Sequence, residues 1–118
     1  MALRHALPGE VVDLLKPRQE LGRTAAIVKS GSFEAVRLVV NAGNEIPSHQ
    51  VEGPITLQCV SGRTVVGFES SQVEIQSGQW LYLEGGIPHW LRGIEDSVLV
   101  LTILFGKRAE DPNLKEVR

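Results

Sequence analysis

The sequence predicts an all-β protein, an antiparallel sandwich or barrel, and two observations carry that expectation. From about Thr24 onward, short runs rich in Val, Ile and Leu recur at intervals of about ten residues. Between them stand Ser30-Gly31, Ala42-Gly43-Asn44, Ser61-Gly62, Ser70-Ser71, Ser77-Gly78, Glu84-Gly85-Gly86 and Glu95-Asp96. Residues of these types reverse a chain by accepting positive φ or by bonding side chain to backbone. No stretch holds the apolar period of a long helix, and there is no internal repeat or low-complexity tract.

Taken in order, strands are expected over residues 25–29, 33–40, 55–60, 63–68, 72–75, 80–83, 89–92 and 97–104. In the second run Val36, Leu38 and Val40 share one face while Glu34 and Arg37 fall on opposite faces, so one side packs more than the other. The last run, SVLVLTIL, is apolar on both faces and must therefore be covered twice, once by the barrel interior and once from outside. In a chain this small the outer cover is expected to be a second subunit, making a homodimer. Before the first strand, residues 1–23 form an arm whose Glu10-Val11-Val12-Asp13-Leu14-Leu15 stretch is able to add an edge strand, within the chain or across a dimer. The barrel is placed at 24–105. The charged tail at 106–118 is expected to fray.

Bulk properties narrow the function. A chain of 118 residues is about one domain long. Its 42% hydrophobic and 22% charged content suffices for a packed core. The formal charge of −2 comes without a basic block, so neither nucleic acid nor an anionic membrane is expected as a partner. No segment approaches the roughly 20 apolar residues of a membrane helix or the apolar core of a signal peptide, and a cytoplasmic protein is expected. The single cysteine, Cys59, lies in the apolar run ITLQCV and reads as a buried, inert thiol, since a reactive one wants a basic, partly exposed setting.

Two stretches carry chemistry. The first reads Gly43, NEIPS, His49-Gln50-Val51, EGP, Ile55, TLQCVS, Gly62. The second reads Gly78, QWLYL, Glu84-Gly85-Gly86, Ile87-Pro88, His89, WLR, Gly93. Together they resemble the paired motifs of the small single-domain cupins, over about residues 24–105. In that family the first motif is glycine, five residues, His-x-His, three or four residues, glutamate, six residues, glycine. The second is glycine, five residues, proline, one residue, glycine, two residues, histidine, three residues, asparagine. The resemblance implies an RmlC-like jelly roll with the motif side chains pointing into a barrel. It also implies which residues have changed. Metal-binding members take ligands from both histidines and the glutamate of the first motif and the histidine of the second. Here only His49 and His89 remain, and Val51 and Ile55 stand where the other ligands would be.

The resemblance therefore implies a depleted metal site. Two imidazoles would hold at most a weakly bound divalent transition metal, because zinc, iron and manganese sites supply three or four protein ligands. A substitute carboxylate would restore a metal face, and Glu52 is the candidate ligand to join His49 and His89, with Glu45 and Glu84 also nearby; all three also read as loop carboxylates facing water. The rest of the expected pocket is apolar: Val51, Ile55 and Leu57 along one wall, with Trp80, Tyr82 and Trp90 adding aromatic surface or else packing elsewhere. Trp80 and Tyr82, two apart on one strand, must face the same way. His5 reads as an ordinary N-terminal residue.

The function expected is the binding of a small-molecule ligand in the barrel cavity. The alternative is a metal-dependent enzyme of dioxygenase or isomerase type using His49, His89 and a substitute carboxylate. A metal-free enzyme using either histidine as a proton shuttle would further need an orienting partner, and the sequence names none.

Overall fold

The computed structural model describes residues 5–15 and 24–105. Its strands are β1 (Ala25–Lys29), β2 (Phe33–Val40), β3 (Glu45–His49), β4 (Ile55–Ser61), β5 (Arg63–Gly67), β6 (Gln72–Gln76), β7 (Trp80–Leu83), β8 (His89–Gly93) and β9 (Ser97–Leu104). They form a five-stranded sheet in the order β1-β2-β9-β4-β7 and a four-stranded sheet in the order β3-β8-β5-β6, and all the strand pairs are antiparallel. No helix occurs among the described residues. None is therefore long and apolar enough there to cross a membrane. The chain is all-β, as the sequence predicts, and most of the expected strands shift by no more than one residue at an end.

Alternation sets what faces inward. Along β4, Ile55, Leu57 and Cys59 are buried, and they lie opposite Ile103, Leu101 and Leu99 of β9. The same row continues to Val36 and Leu38 of β2, and across to Leu81 and Leu83 of β7. From the other sheet Val66, Ile75 and Leu91 close the core. The doubly apolar run is β9, the central strand of the larger sheet, with Leu99 fully buried inside and Val98, Val100 and Thr102 half-buried on the outer face.

The motif glycines earn their places by backbone conformation. Gly43, Gly62, Gly78 and Gly86 all have positive φ, where a side chain would be strained. Each sits at a reversal between strands. Within the arm, residues 5–15 form no strand. The Ala6 N–H donates to the carbonyl of Ile27 in β1 at 2.8 Å. The Arg37 Nε–H donates to the carbonyl of Leu14 at 2.7 Å, so this stretch covers a guanidinium on the outer face of β2. The rest of the expected arm, 1–4 and 16–23, and the expected tail at 106–118 lie outside the described residues.

Candidate functional site

β3 is the one strand the sequence pattern did not reveal, and it carries His49. Its five residues, EIPSH, include a proline and are mostly exposed, so neither β-propensity nor alternation marks them. Proline has no N–H for a ladder and survives in sheets mainly on edge strands and at bulges. β3 meets both conditions. It is the edge of its sheet, and its pairing with β8 shifts register between Ile46 and His49, the interval that holds Pro47 and Ser48.

That shift decides where His49 points. Ile46 is opposite Leu91, so a regular ladder would set Ser48 opposite His89 and turn His49 to the outer face. The extra residue of the bulge moves the pairing by one, and His49 becomes the direct partner of His89. His89 shares its strand face with the buried Leu91 and is itself only 3% exposed. The ring centroids stand 4.6 Å apart at an interplanar angle of 52°. His89 is the buried member of the pair and His49 the exposed one.

Each ring is fixed by the backbone two residues before it. The Nδ1 of His49 lies 3.1 Å from the carbonyl oxygen of Pro47, and the Nδ1 of His89 lies 3.0 Å from that of Ile87. A carbonyl oxygen only accepts, so each Nδ1 carries the proton and donates. In the neutral ring this leaves the lone pair on Nε2. Burial pushes the His89 imidazole below its ordinary range; the neighbouring His49 ring acts in the same direction, and the Ile87 carbonyl opposes both. These two carbonyls are functional groups the sequence reading missed. The only available signal was a proline just ahead of each histidine, Pro47 and Pro88.

The remaining candidates scatter by face. Ile55 and Leu57 are buried on the inner face of β4. Val51 is half-buried in the β3–β4 loop, and its carbonyl accepts the Gly86 N–H at 2.7 Å. This bond ties the loop to the one that leads into His89. Gly85 is pressed so closely against the Glu52 carbonyl that no Cβ would fit, which locks the same two loops together. The Glu52 side chain is exposed, as is that of Glu84. Glu45 is exposed too, opposite Arg92 and on the other face from Ile46.

Trp80, Tyr82 and Trp90 do not line the interior, which corrects the expectation that they form an aromatic wall. Trp80 and Tyr82 alternate with the inward Leu81 and Leu83 and are 61% and 50% exposed on the outer face of the larger sheet. Trp90 alternates with His89 and Leu91 and lies over Gly67 on the outside of the smaller sheet, where any Cβ on Gly67 would strike its ring. Arg92 stacks over the same indole, its Cζ 5.4 Å from the ring centroid. Cys59 is buried as expected, near the opposite end of the barrel from the histidines. Burial pushes its thiol up, against the effect of the Ser61 carbonyl, to which Sγ donates at 3.4 Å.

The donor set does not fit a resident transition metal. Among the described residues no group of three His, Cys, Asp or Glu side chains is arranged to hold an ion, so Glu52 does not complete a triad with His49 and His89. Two nitrogen donors fall short of the three that even open protein sites keep.

No family model matches the chain, and no curated protein is significantly similar to it. Solved structures are. A conserved protein of unknown function from Streptococcus pyogenes superimposes with a TM-score of 0.75 at 19% identity, covering 92% of this chain and 97% of that one. A cupin superfamily protein from Desulfitobacterium hafniense gives 0.73 at 10% identity, covering 90% and 99%. An RmlC-like cupin from Desulfovibrio desulfuricans gives 0.65 at 21% identity, covering 88% and 96%. The chain thus has the RmlC-like cupin fold, a jelly roll of two antiparallel sheets. Fold does not carry function at these identities.

Proposed function

We propose that this protein binds a small molecule at the histidine pair at the mouth of its barrel. One observation carries the reading: His49 and His89 are brought ring to ring, each oriented by its own backbone, with no third ligand side chain beside them among the described residues. A fixed pair of polar groups in a mostly apolar barrel suits ligand recognition. Ile55, at a position where metal-binding cupins carry a ligand, is a buried hydrocarbon, which favours binding over metal-assisted catalysis. The protein is further proposed to act in the cytoplasm, where its single unpaired Cys59 is compatible with reducing conditions.

Metal analysis tests the reading. Protein purified without chelators is expected to carry far less than one equivalent of any first-row metal. The double variant Val51→His, Ile55→Glu is expected to gain zinc affinity while the apo form loses about 2–4 kcal/mol from the buried carboxyl. A stoichiometric metal bound through both histidines in the unmodified protein would overturn the proposal in favour of the metal-dependent enzyme.

A second copy of the chain is proposed to cover the outer face of the five-stranded sheet. The support is the run of apolar side chains there, half-buried Val98 and Val100 on the central strand and exposed Trp80 and Tyr82 toward the β7 edge.

A further inference from the structure

The rings that do not suit a metal offer something else. Both Nδ1 atoms are spent on carbonyl oxygens, at 3.1 and 3.0 Å, so in the neutral state each histidine presents a bare Nε2. Two rings that each carry a hydrogen-bond acceptor therefore stand with their centroids 4.6 Å apart, one at the surface and one 3% exposed. A ligand meeting both must donate.

The surrounding charge sets the second condition. Strand register places His49, His89, Ile55, Leu83 and Ile103 at one end of the barrel, together with the loops that follow β3, β5 and β7. Those loops carry Glu52, Glu69 and Glu84. Glu34, half-buried, lies opposite Ile103 and shares its inward-facing row. Against these carboxylates, Lys29, opposite Glu34, is the cation at this end among the described residues. The apolar positions between, Ile55 and Leu83, offer no donor to an anion.

We propose that His49 and His89 form a paired acceptor site for a ligand that donates hydrogen bonds and bears no negative charge, either the adjacent hydroxyls of a neutral polyol or the N–H groups of a primary ammonium. This rests on the reading of the pair as a ligand-binding site and names the ligand's chemical class. Carboxylates and phosphates are excluded, because they bring acceptors to acceptors and negative charge to an acidic rim.

The test uses the full chain with 15N-labelled histidine at pH 8, where an ordinary imidazole is neutral. The free protein should show both rings as Nδ1-protonated tautomers. Glycerol, ethanolamine and glycerate then serve as matched probes: a neutral triol, a primary ammonium, and the vicinal diol left when one terminal carbinol of glycerol becomes a carboxylate. Glycerol or ethanolamine should shift both Nε2 resonances saturably, and whichever does so identifies the donor. Glycerate should not. His49→Ala, at an exposed position, should weaken the binding about tenfold without unfolding the protein. Rings protonated at Nε2 overturn the proposal. Glycerate binding as tightly as glycerol overturns it too, while leaving the ligand-site reading intact. Silence of both rings toward all three probes overturns both together.

Discussion

His89 couples the site to the stability of the protein. The unfolded chain takes up a proton on this side chain near the ordinary value of 6.5, whereas the buried native ring takes it up only at lower pH. In that window the unfolded state binds more protons, so stability falls as pH falls. The contribution is intact above 6.5 and is lost progressively as pH falls through the depressed native value. Each tenfold weakening of the native ring's proton affinity is worth about 1.4 kcal/mol. Urea midpoints are expected to be lower at pH 5 than at pH 8, and His89→Gln should flatten that difference. An unchanged slope in the variant would assign the effect to the carboxylates instead. At the same scale, the motif glycines were legible in the sequence because positive φ has so few alternatives. The Pro47 and Ile87 carbonyls were not, since a backbone acceptor leaves no mark on residue identity.

Among the elements, β3 is the informative one. Its bulge is a single added residue, yet it turns His49 from the outer face of the sheet to the inner one, because side chains along a strand alternate. Deletion of Ser48 is expected to remove the bulge and seat His49 in the regular position opposite His89, so that the two imidazoles stay in contact. The fold should survive, since β3 is a mostly exposed edge strand. Nuclear Overhauser contacts between the His49 and His89 rings read this directly; their loss would mean that something other than strand register aims the ring. The strands with alternating Val, Ile and Leu were readable because their pattern is the pattern of burial. β3 was not, because an edge strand with a proline buries little and is held by its neighbour rather than by its own composition.

At the scale of the whole molecule, the question is what covers the outer face of the larger sheet. β9 is apolar toward both sides, and the arm covers the Arg37 end of this face through the Leu14 carbonyl. Toward the other edge Trp80 and Tyr82 stay exposed. If a second copy packs here, Trp80→Glu should dissociate it at least tenfold more readily while leaving the monomer's melting temperature within a few degrees, because the residue lies outside the core. Sedimentation velocity across a range of concentrations reads the change. A protein that stays monomeric before the substitution, or dimeric after it, would refute the arrangement. The two-sided character of β9 was visible as a run of apolar residues; the outward turn of Trp80, Tyr82 and Trp90 was not, since an aromatic residue suits a pocket wall and a sheet face equally well.

By itself the sequence determined the class of fold, the turns, nearly all the strands and the two histidines of the candidate site, because each of these depends on local chemistry: alternation, positive φ, and a side chain able to bind. Only the tertiary structure decided that the two imidazoles meet, that each is held through Nδ1, and that Glu52 does not join them. Those facts follow from a one-residue offset between β3 and β8 and from loops pressed together around Gly85. Register and close approach are relations between distant segments, and no single stretch of chain encodes them.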